Sequence, residues 1–383
     1  MTGVNRRRRL VSISHSYAVA LNRRLADEMS RVGGQSWDVL AVAPTTQAGD
    51  LRTISLERDA EGVAPVIGVD TFLTAMPHAM LYGHELRDVL RSSKWDIVHC
   101  WEEPYTFSAA QTAFWSAKDA SIVFYTFQNL MKRYPPPFSI AERYCLSRSS
   151  GWIAAGEQVE QTMLARGYDS KPHATLPLGV DVSLFRPLPE MRATTLAKLG
   201  WTDDGTFTVG YLGRFIEEKG LRTLMDSLDR QRSRWRALFV GGGPMESLLR
   251  EWATDRKDQV RILTGVSHRD VPVFVNVMDM LAAPSKTTSK WKEQFGRMII
   301  EAFACGVPVI ASNSGEIPFV VGDAGMIVPE GDVAQWTAAI ALLSDNEPLR
   351  NDYSRNGIAR VYERFSWSIV ASKHLAFFNE IAP

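Results

Sequence analysis

TVGYLG at 208–213, LRTLMDSLDRQ at 221–231, RALFVGGG at 236–243 and MESLLREWATD at 245–255 alternate a short apolar or β-branched run with an amphipathic helical stretch. The alternation decides the fold, because strands joined through helices make right-handed crossovers and stack as a parallel, doubly wound sheet. It continues through VRILTG (260–265), RDVPVFVNVM (269–278), DMLAAPS (279–285) and VPVIAS (307–312), then a turn, IPFVVG (317–322) and GMIVPEG (325–331). The first half keeps the same rhythm with noisier punctuation. LVSISHS, WDVLAVAP, WDIVHCWE, SIVFYTFQ, GWIAAG and HATLPLG each read as a strand, linked by helices beginning near Tyr17, Met80, Ser108 and Gly156. The reading is α/β, with two Rossmann-like domains. Residues 1–188 form the first, residues 189–365 the second, and a terminal helix within 366–383 is expected to cross back to the first.

At 383 residues, two domains are the default. Hydrophobic residues at 45%, charged residues at 22% and zero formal net charge describe a soluble globular chain and argue against a nucleic-acid partner. Cys100, Cys145 and Cys305 lie far apart with no metal-ligand spacing, which fits a reducing cytoplasm. Arg6 to Arg9 precede an apolar run too short for a signal or spanning segment, so export is not expected. Those arginines, with the helix-like LYGHELRDVLRSSKW at 81–95, permit a peripheral membrane contact at the inner face. A solvated terminus and core packing are the plainer readings.

EQFGRMIIE at 293–301 places two glutamates eight residues apart. On one helix that spacing is about 12 Å along the axis with a rotation of roughly 80°. A ligand touching both must be long, with hydroxyl-rich ends for the carboxylates. Its anionic middle suits the free N–H groups near Phe295 and Gly296 and the positive end of the helix. Two solvated surface glutamates are the bland alternative.

GYLGRFIEEKGL (210–221), LFVGGGP (238–244), LTGVSHRDVPVFVNVMD (263–279), APS (283–285) and the run from Trp291 to Asp332 resemble the retaining glycosyltransferases of the GT-B fold, family 4 (group 1). LPLGVDVSLFRP at 176–187 is similar to the segment leading between the two domains of these enzymes. The resemblance implies two Rossmann-like domains facing a cleft, no cofactor, no metal, and a UDP- or GDP-hexose as donor substrate. By resemblance, Arg214 and Lys219 hold the donor diphosphate and stabilise charge on the leaving group, and Glu293 positions the transferred sugar. Glu301 accepts from the ribose, while Gly213, Gly243, Val266, Phe295, Gly296 and Arg297 line the donor site. Ser285 reads as a loop serine near the sugar.

The first half matches more loosely. Where many members carry a Gly-Gly turn after the first strand, His15 and Ser16 stand here; where many carry a histidine, the chain has Gln128. Ser16 is a donor-side candidate; His15, His99, Glu102, Glu103 and Gln128 are acceptor-side candidates. The implied activity is transfer of a glucose- or mannose-type hexose to a hydroxyl acceptor, a glycan or glycolipid, in surface polysaccharide assembly. A nucleotide-sugar epimerase of the same fold and a catalytically silent sugar-binding scaffold are the alternatives.

Overall fold

The computed structural model describes residues 6–48, 53–58 and 62–382. The chain divides into two compact units, Met1–Pro177 with Trp367–Pro383, and Leu178–Ser366. Residues 178–188 pack with the second unit, where Phe185 meets His268 at 5.1 Å between ring centroids and the Leu188 N–H donates to Asn276 at 2.6 Å.

Unit 1 is built on seven strands, β1 (Arg8–Ile13), β2 (Trp37–Pro44), β3 (Val66–Val69), β4 (Ile97–Cys100), β5 (Ser121–Thr126), β6 (Ser149–Ala154) and β7 (His173–Thr175), in the spatial order β7-β6-β5-β4-β1-β2-β3. Every pairing is parallel. β4 is buried throughout its length, the near-continuous apolar run expected of a strand covered on both faces. Helices α1 (Arg24–Gly33) and α2 (Phe107–Trp115) flank the sheet, and α5 (Trp367–Ile381) returns to it. Phe378 of α5 lies 6.4 Å from Trp37 and 5.4 Å from His99, ring to ring.

Unit 2 has six parallel strands, β8 (Phe207–Arg214), β9 (Trp235–Gly242), β10 (Val260–Leu263), β11 (Met280–Ala283), β12 (Val309–Ser312) and β13 (Met326–Val328), ordered β10-β9-β8-β11-β12-β13. Helices α3 (Leu221–Asp229) and α4 (Arg297–Ala304) matter most here. Its core runs from Phe207, Tyr211 and Phe215 through Leu224 and Phe239 to Trp336.

Each sheet reverses direction once. In unit 1 the chain moves outward from β1 to β3 and then returns to set β4 on the other side of β1; in unit 2 it does the same from β8 to β10 before β11. Crevices at the carboxyl ends of the strands flanking such a reversal are where open α/β sheets bind ligands. Those ends carry Arg214 and Pro284-Ser285 in unit 2, and His15 and Glu102 in unit 1.

Candidate active site

In unit 2 the turn after β8 delivers a lysine to a buried carboxylate. Glu217–Lys219 form one 3-10 turn, and Gly220 follows in the left-handed region against the Pro284 carbonyl. Lys219 Nζ stands 2.5 Å from Glu293 Oε2, with the two side chains 12% and 7% exposed. Ser285 donates to the same oxygen at 2.8 Å, and the ammonium lies 5.3 Å from the Trp291 ring centroid. Ser285 is fixed in turn, its carbonyl accepting from Ser312 at 2.5 Å. The loop serine expected near the sugar is therefore a fully buried donor to Glu293.

The structure corrects the helix expected over 293–301. α4 starts only at Arg297, because Gly296 adopts φ 85°, ψ 54°, a left-handed conformation that ends right-handed winding. Glu293 sits in the preceding loop, so the separation derived from helical rise does not apply. Its carbonyl accepts from the Glu316 N–H at 3.0 Å, and Gly315, at φ +54°, passes so close that a Cβ there would meet that carbonyl at 2.0 Å. A backbone clasp, not a helix face, aims this carboxylate.

Glu301 is on α4, buried, and its Oε1 lies 3.1 Å from His268 Nε2. Phe295 turns its ring into the core, 6.1 Å and edge-on to Phe365, so only its backbone can serve a ligand. Gly213 near the end of β8, Arg297 at the start of α4, and Gly243 and Val266 in the loops after β9 and β10 are half-buried, and Arg214 is exposed at the end of β8. Arg214 and Glu293 act on one phenol. Tyr211 is pushed up foremost by burial and then by the charge of Glu293, with Arg214 opposing, and its hydroxyl donates to the Arg214 carbonyl at 2.7 Å.

In unit 1, Glu102 accepts from the His15 N–H (2.6 Å) and Tyr82 OH (2.6 Å) on Oε1, and bonds His15 Nδ1 (2.7 Å) and Ser108 OH (3.3 Å) on Oε2. Glu103 accepts from Thr126 OH (2.5 Å) and the Phe127 N–H (2.8 Å), and burial raises its pKa. Ser16 is half-buried beside Ser14 (Oγ–Oγ 2.8 Å), and Gln128 is buried, its amide donating to the Leu130 carbonyl at 2.6 Å. His99 does not join them. It is wholly buried, bonded through Nδ1 to Ser12 at 2.9 Å and enclosed by Tyr125, His374 and Phe378. Its expected acceptor contact is corrected: His99 belongs to the seam between the sheet and α5.

Among the described residues no group of three or more His, Cys, Asp or Glu side chains is disposed to hold a metal ion.

The profile of the family described as "Glycosyl transferases group 1" matches residues 196–360, and that of "Glycosyltransferase Family 4" matches residues 18–184. The chain belongs to glycosyltransferase family 4. The GDP-mannose-dependent monoacylated alpha-(1-6)-phosphatidylinositol monomannoside mannosyltransferase of Corynebacterium glutamicum is 34% identical over 205 residues, 52% of this chain and 54% of that protein. The chain spans about half the length of the curated relatives it matches first. Sucrose-phosphate synthase from Thermosynechococcus elongatus superposes with a TM-score of 0.73 at 19% identity, covering 98% of this chain and 99% of that one. Anabaena Alr3699/HepE in complex with UDP and glucose gives 0.72 at 16% identity over 97% and 100%. These likenesses establish a GT-B fold for this family 4 chain.

The family 4 core thus presents a charge-compensated Lys219–Glu293 pair beside Ser285, a second carboxylate at Glu301, and Arg214 at the end of β8, where it and Glu293 both act on Tyr211. Carboxylates of this kind can orient hydroxyls, and the cations can neutralise phosphate oxygens. Sequence reasoning did not single out His268, although it lies two residues after Val266 in LTGVSH, and nothing local in the sequence ties it to Glu301.

Proposed function

We propose that this chain transfers a hexose from a nucleoside-diphosphate sugar to a hydroxyl acceptor with retention of anomeric configuration. The observation that carries the reading is the joining of Lys219, Glu293 and Ser285 at the carboxyl ends of β8 and β11, the crevice where this sheet topology binds ligands. Lys219 and Arg214 stabilise the departing diphosphate. Glu293, held by Ser285 and the Glu316 N–H, orients the sugar; Glu301, steadied by His268, accepts from the ribose. Because the leaving diphosphate can itself take the acceptor's proton, attack on the face it vacates accounts for retention.

The donor is a UDP- or GDP-hexose of glucose or mannose type, in keeping with the GDP-mannose named for the Corynebacterium relative and the UDP and glucose in the Anabaena complex. The acceptor is a glycan or glycolipid of surface polysaccharide assembly, reached from the cytoplasm with peripheral contact at the membrane's inner face. No helix among the described residues is long and apolar enough to cross a membrane. Arg6 and Arg7 pair with Asp96 and Asp38, so part of this charge is compensated within the protein, while Arg8 donates to the neutral amide of Asn379.

Nucleoside diphosphate release from UDP-, GDP- and ADP-sugars, with and without acceptors, tests the reading. Release with one donor class and an α-linked product from an α-linked donor is expected. Absence of both release and calorimetric donor binding would sink it, and free epimer formed without acceptor would favour an epimerase.

A further inference from the structure

KTTSKWK at 286–292, in the loop after β11 of unit 2, is fastened at several points. The Lys286 N–H donates to the Glu218 carbonyl at 2.7 Å, within the 3-10 turn that carries Lys219. Thr287 donates its N–H (2.5 Å) and its hydroxyl (2.6 Å) to the two oxygens of Glu330, and its Oγ1 lies 3.0 Å from Ser314 Oγ, one residue before the glycine that clasps Glu293. Trp291 is joined to Thr288 twice: its N–H donates to Thr288 Oγ1 at 3.0 Å, and its carbonyl accepts from the Thr288 N–H at 2.8 Å. A loop held this way sets the place of the half-buried Trp291 ring without a ligand.

A lysine ammonium is a compact charge with three donors on a flexible four-carbon stem, so its partners and not its backbone decide where it stands. Lys219 has Glu293 Oε2 at 2.5 Å and the face of the Trp291 ring, 5.3 Å from Nζ to the centroid. The carboxylate fixes one direction of the ammonium and the indole face a second, which leaves the third N–H for an oxygen of a ligand. The chemistry of the second partner matters. Another carboxylate would hold the lysine as firmly but would repel an anionic donor, whereas a neutral aromatic face attracts the cation and leaves its charge available to phosphate.

We infer that Trp291 is the positioning residue of Lys219, its ring and Glu293 together holding the ammonium so that its remaining N–H meets the leaving diphosphate. The inference rests on the glycosyltransferase reading and adds to it the residue through which Lys219 is aimed. Trp291 itself makes no contact with the reacting atoms in this role. Its loop, bonded to the turn of Lys219 through Glu218 and to the clasp of Glu293 through Ser314, keeps both charged partners and the ring in one frame.

Nucleoside diphosphate release by the full chain, with the sugar donor that the wild type cleaves, reads the effect. Trp291→Leu should lower kcat about tenfold while the acceptor KM stays within about twofold, and Trp291→Phe, which keeps an aromatic face, should hold kcat within about threefold of wild type. Because the ring acts through Lys219, Trp291→Leu should cost less than about twofold further in a Lys219→Ala background. A ring that only braces its loop, or that touches the sugar directly, would cost the same factor in both backgrounds. NMR supplies a readout without turnover: the Hε resonances of Lys219, assigned through Lys219→Arg, should lie upfield of the ordinary lysine position in the wild type and in Trp291→Phe, and return to it in Trp291→Leu. A Leu variant within threefold of wild type, a Phe variant as slow as the Leu one, equal penalties in the two backgrounds, or wild-type Lys219 resonances at the ordinary position would each overturn the inference. Such a result with diphosphate release intact removes only this inference; absent release in the wild type removes the function and leaves the contact between ring and ammonium to be read by NMR.

Discussion

Replacing Lys219 by alanine removes the cation from a carboxylate that has little access to water. The ammonium is 2.5 Å from Glu293 Oε2, and the side chains are 12% and 7% exposed. At an effective dielectric of about 20, two unit charges attract by about 4 kcal/mol even at about 4 Å separation. Losing one partner of a buried pair typically costs about 3–5 kcal/mol, since the remaining charge keeps its desolvation penalty. Ser285, at 2.8 Å, offsets only part of it. The single variant should therefore be destabilised by about 3 kcal/mol in urea unfolding, and its kcat should fall by at least about a hundredfold, the equivalent of roughly 3 kcal/mol of transition-state stabilisation. The double variant Lys219→Ala/Glu293→Gln separates the two effects. Deleting the stranded charge should return much of the stability, whereas turnover should fall no less than in the single variant. Turnover within threefold of wild type in Lys219→Ala, or a double variant no more stable than the single, would refute the reasoning.

Glu301→Gln should lower kcat/KM about 10- to 100-fold, the worth of a charged hydrogen bond, with most of the change in donor KM as read by diphosphate release; an unchanged KM contradicts the ribose role. Gly315→Ala must displace the Glu293 carbonyl, so melting temperature and turnover should drop together, by about 1–3 kcal/mol in stability; a variant normal in both speaks against the clasp. Burial lowers the His374 pKa to about 4 and sends that of His99 well below 6.5. Both histidines thus bind protons less readily folded than unfolded, so their contribution to unit 1 is complete above pH 6.5 and is lost as pH falls toward 4, on the order of 3 kcal/mol for His374. Denaturant unfolding followed from pH 7.5 to 4.5 should show this decline, and a His374→Gln variant should flatten it; equal slopes would count against the buried seam.

The two parallel sheets were legible because buried parallel strands read as continuous apolar runs, and WDVLAVAP matches β2 residue for residue. Lys219 with Glu293 was legible through motif resemblance. The geometry that unites them was not, because it depends on Gly296: its side-chain-free backbone turns left-handed and takes Glu293 off the helix, while the amphipathic pattern on either side reads straight through. His99 was misjudged for a longer-range reason. A strand's parity shows that a residue faces one side of the sheet but not what covers that side, and here the cover is α5, more than 260 residues downstream. Glu102 draws its donors from residues 15, 82 and 108, and His268 reaches Glu301 across 33 residues. Such contacts are tertiary, and no local pattern announces them.

A crystal structure of the protein with an intact nucleotide sugar, GDP-mannose or UDP-glucose, tests the central claim most directly. The account predicts a diphosphate within hydrogen-bond distance of Lys219 and Arg214, the ribose on Glu301 and the hexose on Glu293. Donor density elsewhere on the chain, with the Lys219–Glu293 pair untouched, would contradict it.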